Sequence, residues 1–312
     1  MHEYGAGAGA SRLVTGNFPL YEELEHALAL HTNKEAACVF GSGYLANMGT
    51  IPALAGSGDL ILADKFIHAC MLDGARLSGA TVMRFAHNNL EHCRMLLEAN
   101  RAEHQNCLIL TEDVFSMDGD RAPLPALSAL AREFDAWLMS DSAHDLEINT
   151  SSSFESQGGA ALQMGTLSKA AGSYGGYVCG SKIVIDYLKS TARTLIYSTA
   201  LPPATVAASI AALHIIQTDR TLCGKPLKKA QLFTSLLDMD PAQSAIVPVI
   251  LKDNEKTLAA SMMLEDNGFL VSAIRPPTVP EHTARLRFAF SALHRDEDIQ
   301  AVAALIRARG LL

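Results

Sequence analysis

The run Met164–Ser181, "MGTLSKAAGSYGGYVCGS", carries one charge, Lys169, among alanines, glycines and serines. Thr166 and Ser168 stand just before it, and an apolar segment precedes them. A solvent-facing lysine usually has polar neighbours, and this one has few. Partial burial would pull its pKa below the ordinary value of about 10.4. An amine tuned in that way can act as a nucleophile and form a Schiff base with a carbonyl. The small residues around it would leave room for something bulky. The plain alternative is a loop lysine beside a Gly-rich turn, and the run by itself does not choose between the two.

The surroundings of the run argue for a particular fold. Short apolar stretches at Asp59–Asp64, Thr81–Phe85, Cys107–Glu112, Ala136–Asp141 and Gly176–Ser181 read as strands. Helical patterns lie between them, as in "NLEHCRMLLEANR" (Asn89–Arg101), with an Asn cap and apolar residues at Leu90, Cys93, Leu96 and Leu97, and in "LPALSALAREF" (Leu124–Phe134). Strands alternating with helices predict an α/β fold with a mainly parallel central sheet covered by helices. Ligands in such sheets bind beyond the C-terminal strand ends. Asp64 and His68, Glu112 and Ser116, and Asp141 and His144 fall there. After Pro202-Pro203 the texture changes. A long helix over Ala204–Gln217 leads to apolar runs at Ala245–Leu251 and Ala284–Phe290, a helix around Glu255–Asn267 and a last helix from about Asp296. The predicted division is a large domain over 1–203 and a linking helix with a small α+β domain over 204–312. "INTSSSFESQGG" (Ile148–Gly159) reads as a polar, mobile loop.

Composition removes several classes of function. The 312 residues are 49% hydrophobic and carry a formal net charge of −8, with no dense Lys/Arg run, so no nucleic-acid footprint is visible. No apolar segment reaches the roughly 18 residues that span a bilayer. The start, "MHEYGAGAGASR", lacks the layout of a signal peptide. The six cysteines show no CxxC spacing, which argues against a zinc site or a disulfide framework and for a reducing compartment. The expectation is a cytoplasmic enzyme without a metal.

Individual residues then suggest parts of a site. In "SDSAH", Asp141 at a strand end could hold a ring nitrogen of an aromatic cofactor protonated, and His144 could donate to a ring oxygen; a helix cap and a surface histidine are the alternatives. "FGSGYLANMG" (Phe40–Gly49) could present the backbone N–H groups of Gly43 and Tyr44 to a phosphate, or be an ordinary turn. His68 could stack on a flat ring. Arg275, beside two prolines in "IRPPTVP", suits a carboxylate. "GAGAG" at Gly5–Gly9 is no dinucleotide fingerprint, because no strand precedes it.

Taken in order, these pieces resemble a known family. "YGAGAGASRLVTGN", "FGSGYLAN", "TEDVFSMDGDRAPL", "SDSAH", "GTLSKAAGSYGGY", "STALPPA", "IRPPTVP" and "TARLRFAFSALH" match the α-oxoamine synthases over nearly the whole chain. The family comprises fold-type I pyridoxal 5'-phosphate enzymes that join an amino acid to an acyl thioester with loss of carbon dioxide. The resemblance implies that Lys169 is the Schiff-base lysine, Asp141 faces the pyridine nitrogen, His144 bonds the ring hydroxyl side and His68 stacks on the ring. It further implies that Gly43, Tyr44 and Thr166 hold the phosphate and that Ser116 contacts the cofactor near its ring oxygen. Arg275 and Thr278 would lie near the substrate carboxylate. The family is homodimeric, so Thr199 is expected to reach the partner's phosphate. "AIRPPTVP" is most similar to the biotin-pathway branch, which condenses L-alanine with a pimeloyl thioester carried by coenzyme A or a carrier protein. Sister branches make 5-aminolevulinate, 2-amino-3-oxobutyrate or the sphingoid base precursor. A non-catalytic member would lack the lysine; here Lys169, Asp141, His144 and His68 are all present. Three departures stand out. The chain begins at "YGAGAG", so the family's N-terminal segment, part of the acyl site, is expected to be missing. "DSAHDLEINTSSS" replaces a Gly-rich continuation, and Cys70 stands where the family commonly has serine.

Overall fold

The computed structural model describes residues 2–146 and 159–312, so the loop read at Ile148–Gly159 lies outside it up to residue 158. Contacts divide the chain into two compact units. The larger comprises Met1–Val114 and Ala122–Asp219, the smaller Phe115–Arg121 and Arg220–Leu312.

The larger unit is built on a seven-stranded sheet. Its strands are β1 (Ala36–Phe40), β2 (Leu60–Asp64), β3 (Thr81–Phe85), β4 (Cys107–Glu112), β5 (Trp137–Asp141), β6 (Leu162–Thr166) and β7 (Gly176–Gly180), in the order β1-β7-β6-β5-β4-β2-β3. From β3 to β6 all neighbours are parallel, whereas β7 is antiparallel to both β6 and β1. The exception has a simple cause. A parallel crossover needs about a dozen residues or more, and the segment Leu167–Gly175 is too short for one. The Lys169 run is therefore a reversal between antiparallel strands.

The strands separate two apolar layers by their period of two. Ile61, Ala63, Leu110 and Met139 pack with α2 (Gly43–Leu54), α3 (Ala69–Ser78) and the helix Lys182–Thr191. Leu60, Leu62, Ile109 and Leu138 pack on the opposite face with α4 (Leu90–Asn100) and α5 (Leu124–Glu133). Every side chain of β2 and β4 is buried. Near-continuous burial of this kind explains why these strands read as unbroken apolar runs.

The helix Pro203–Thr218 belongs to the larger unit, not to the smaller one as its position after Pro202 suggests. It packs on α1 (Pro19–Thr32), where Tyr21 donates to the Leu201 carbonyl at 2.8 Å. The prolines mark the start of a helix, with Pro203 at its first position, and not a domain boundary.

The smaller unit holds an antiparallel sheet, β8 (Ile246–Lys252), β10 (Ala284–Ala289) and β9 (Ser272–Ile274), over a core that includes Phe233, Phe288, Leu286 and Ile306. It captures the "SMDG" segment. Asp118 pairs with the buried Arg285, Arg287 donates to the Ser116 carbonyl at 2.6 Å, and Ser244 donates to the Gly119 carbonyl at 2.7 Å. Gly119 has φ +73°, and a Cβ there would stand 2.1 Å from the Ile246 carbonyl oxygen. Both backbone strain and a clash oppose any side chain. Gly119→Ala is expected to lower stability by at least about 2 kcal/mol, read as a reduced urea midpoint with an unchanged slope.

Candidate active site

The C-terminal ends of β4, β5 and β6 bring the central groups of the larger unit together. Glu112 and Asp141 are register partners, as are Asp141 and Met164. Asp141 is buried, 4% exposed. Its Oδ1 accepts from the Ala143 N–H at 3.0 Å and its Oδ2 from the Asn47 side-chain amide at 2.9 Å. Burial pushes its carboxyl above the ordinary range. The Ala143 and Asn47 donors and then the charges of Lys169 and His68 pull it back. Asp141 thus does make the local turn bond expected of a cap, and it is also the buried acid that Lys169 and His68 face.

Three residues beyond Asp141, His144 Nε2 lies 2.8 Å from Lys169 Nζ. Lys169 is exposed, contrary to the burial inferred from its small neighbours. The reason is the reversal itself. Gly172 N–H donates to the Lys169 carbonyl and Ser173 N–H to the Leu167 carbonyl, each at 2.9 Å, so the loop closes on its own backbone and turns the lysine outward.

The α2 N-terminus adjoins this loop. Ser42 caps α2 by accepting from Leu45 N–H at 3.1 Å, while the first-turn N–H groups of Gly43 and Tyr44 have no intrahelical acceptor. Thr166 lies directly beside Gly43, where an added Cβ would meet the threonine Cβ at 3.5 Å. Gly176 makes this approach possible, since a Cβ on it would lie 2.4 Å from Gly43 N. Gly176 is therefore needed to seat a helix end against β7. Tyr44 is half exposed, and its hydroxyl donates to Asp73 at 2.7 Å. His68 caps α3, its Nδ1 accepting from Cys70 N–H at 3.2 Å, and the residue is exposed.

Ser116, Arg275 and Thr278 belong to the smaller unit, Arg275 and Thr278 on an exposed turn closed by Thr278 N–H to the Arg275 carbonyl at 3.1 Å. Thr199 is exposed and bridges Ser11. Asp64 is spent on structure, accepting from Phe66 N–H and Asn88 N–H at 2.8 Å each, with His87 at 3.0 Å.

Sequence reasoning missed Asn47 and Asp113. Asn47 stands in the quoted "FGSGYLAN", where an asparagine inside a good apolar helix was the available signal. Asp113 is buried, accepts from the Ser142 hydroxyl, and has its carboxyl pushed to about 7 by burial first and then by the charge of Asp145, with Asp141 adding. A carboxyl held above its unfolded value binds its proton more tightly when folded. Stability should therefore decline as pH rises from about 4 to about 7, by up to about 1.4 kcal/mol per pH unit from this group. Asp113→Asn is expected to flatten that decline, measured by urea unfolding at a series of pH values.

These groups fit a phosphorylated pyridine aldehyde. They supply a buried carboxylate with cationic neighbours for a ring nitrogen, an amine beside an imidazole, and a helix end with a threonine for phosphate. The comparisons agree. The family model described as Aminotransferase class I and II matches residues 2–306. The 8-amino-7-oxononanoate synthase of Methylocella silvestris is 56% identical over 97% of this chain and 88% of its own length. The chain belongs to the α-oxoamine synthases. Among solved α-oxoamine synthases, serine palmitoyltransferase from S. paucimobilis with a bound PLP–myriocin aldimine matches with a TM-score of 0.94 at 30% identity, covering 100% of this chain and 82% of that one. The 8-amino-7-oxononanoate synthase of Francisella tularensis matches with a TM-score of 0.80 at 26% identity, covering 99% and 91%. As a member of this family the chain is a pyridoxal phosphate enzyme of the mainly parallel, fold-type I architecture.

Proposed function

We propose that the chain condenses L-alanine with a pimeloyl thioester, releasing carbon dioxide and the thiol, to give 8-amino-7-oxononanoate for biotin synthesis. The observation that carries this reading is 56% identity over 97% of the chain to a synthase of that name, with Lys169, His144 and Asp141 grouped at the strand ends. When bound, pyridoxal phosphate supplies a sink for the electron pair left as alanine's α-proton departs.

The chain's residues do the rest. Lys169 Nζ would hold the cofactor covalently, give way to alanine's amine and take alanine's α-proton; His144, 2.8 Å away, would orient that amine and bond the ring hydroxyl side. Asp141 holds a proton on the ring nitrogen. His68 covers the ring face. Gly43, Tyr44 and Thr166 bind the phosphate, and Ser116 contacts the ring oxygen side. Arg275, with Thr278, takes the alanine carboxylate by a two-pronged hydrogen bond that lysine cannot reproduce. The α-carbon would attack the thioester carbonyl, the thiolate would leave and take a proton from solvent, the β-keto acid would lose carbon dioxide, and Lys169 would return a proton to the α-carbon. The working form is a cytoplasmic homodimer, in which Thr199 reaches the partner's phosphate. No described helix is long and apolar enough to cross a membrane.

The TM-score of 0.94 to serine palmitoyltransferase favours one rival, a sphingoid-type synthase. A product assay separates them. Alanine, glycine and serine are each offered with pimeloyl, acetyl, succinyl and palmitoyl thioesters. The expected result is preferred turnover of alanine with the pimeloyl donor. Turnover confined to serine with palmitoyl, or to glycine with a short donor, would overturn the assignment.

A further inference from the structure

Asn47 is fully buried, 0% exposed, one turn inside α2. A buried asparagine in a helix costs free energy twice, through weak helix propensity and through desolvation. Its amide nitrogen makes two contacts, one to Asp141 Oδ2 at 2.9 Å and one to Cys70 Sγ at 3.1 Å. An amide has two N–H bonds, so both are used. Its carbonyl oxygen is buried with no hydrogen-bond partner among the described residues. The orientation is therefore set by the donors, since flipping the amide would aim an oxygen at the Asp141 carboxylate.

The contacts continue beyond the sulfur. Cys70 Sγ lies 2.9 Å from His68 Nδ1, which also accepts from Cys70 N–H at 3.2 Å. A ring nitrogen that accepts carries no proton, so in its neutral form the imidazole carries its proton on Nε2. The thiol accepts a hydrogen bond from Asn47 and, with His68 Nδ1 as acceptor, donates its S–H to His68. Burial, with the Asp141 charge second, pushes that thiol up to about 12, which keeps it a donor.

We infer that Asn47 is a positioning residue, one amide that favours the charged form of Asp141 and, by holding the Cys70 thiol, adds a second contact to the His68 nitrogen that the Cys70 N–H already engages. The inference rests on the proposal that Asp141 faces the pyridine nitrogen. A donor on Oδ2 stabilises the carboxylate over the acid. It therefore keeps the shared proton on the ring nitrogen, where the electron sink needs it.

The test uses holoenzyme loaded with 15N-labelled pyridoxal phosphate. The ring-nitrogen chemical shift, the cofactor Kd and the exchange of alanine's α-hydrogen in D2O are measured for the wild type, Asn47→Leu and Asp141→Asn. Asn47→Leu keeps the volume and removes the donor. It is expected to move the ring nitrogen from the pyridinium shift toward that of neutral pyridine and to slow exchange at least ten-fold, with the cofactor Kd changed less than three-fold. An unchanged shift and exchange in Asn47→Leu, alongside a lost pyridinium in Asp141→Asn, would overturn the inference and leave the function intact. A pyridinium retained in Asp141→Asn would instead sink the underlying reading. Should Asn47→Leu fail to fold, Cys70→Ala and Cys70→Ser carry the test with Asn47 in place. Serine is expected to keep the wild-type pH profile of exchange and alanine to displace it; identical profiles for the wild type and both variants would overturn the inference.

Discussion

Lys169→Ala is expected to lower alanine α-hydrogen exchange and product formation by about four orders of magnitude or more. Proton transfer by a positioned side chain is worth about 10²–10⁴-fold, and on the proposed reading the same amine also holds the cofactor covalently. Alanine reaches neither function. The fold should survive, because Lys169 is exposed and its backbone carbonyl, not its side chain, closes the loop with Gly172. The melting temperature without cofactor should thus match the wild type within a few degrees. An exchange rate within ten-fold of wild type would remove Lys169 from the chemistry. Added methylamine, an external amine small enough to enter, is expected to restore part of the exchange.

Asp141→Asn is expected to slow exchange by about 10²–10³-fold, the scale lost when one preorganised electrostatic group is removed. Cofactor should still bind, because the residues proposed for its phosphate lie on α2 and β6. The amide preserves the shape and can still accept from Ala143, yet it has no charge to hold a proton on a ring nitrogen. One donor hydrogen of the new amide must also face Asn47 or an apolar wall, so a modest loss of stability accompanies the change. The comparison that isolates the chemistry is cofactor Kd against exchange rate in the same preparation. Near-normal exchange would reduce Asp141 to the turn it forms with Ala143.

Much of this was legible beforehand, and the misses have physical causes. The strands Thr81–Phe85 and Cys107–Glu112 coincide with their sequence reading: the second is buried throughout and reads as an unbroken apolar run, and the first, an edge strand buried only at Phe85, is set off by the Ser-Gly turn before it. β6 was visible only as an apolar segment because Gly165 and Gln163 interrupt it. The exposure of Lys169 was not legible, because a Gly-rich reversal and a buried pocket have the same small-residue composition. The helix Arg220–Leu236 went unread, its pattern broken by Gly224 and Pro226. Asn47 and Asp113 escaped notice because a buried polar residue is recognised by its partner, and both partners lie far along the chain: Asn47 meets Asp141, and Asp113 meets Ser142. The site motifs were readable for the opposite reason. Those around Asp141 and Lys169 are contiguous loops at a strand end, so their residues stay neighbours in sequence.

The most direct measurement is the position of the covalent cofactor. Protein incubated with pyridoxal phosphate is scanned for visible absorbance, reduced with borohydride, digested, and mapped by mass spectrometry. The expected result is a visible band lost on reduction and a phosphopyridoxyl group on the peptide carrying Lys169. Absence of the band after full reconstitution, or a label distributed over other lysines with Lys169 unmodified, would contradict the account.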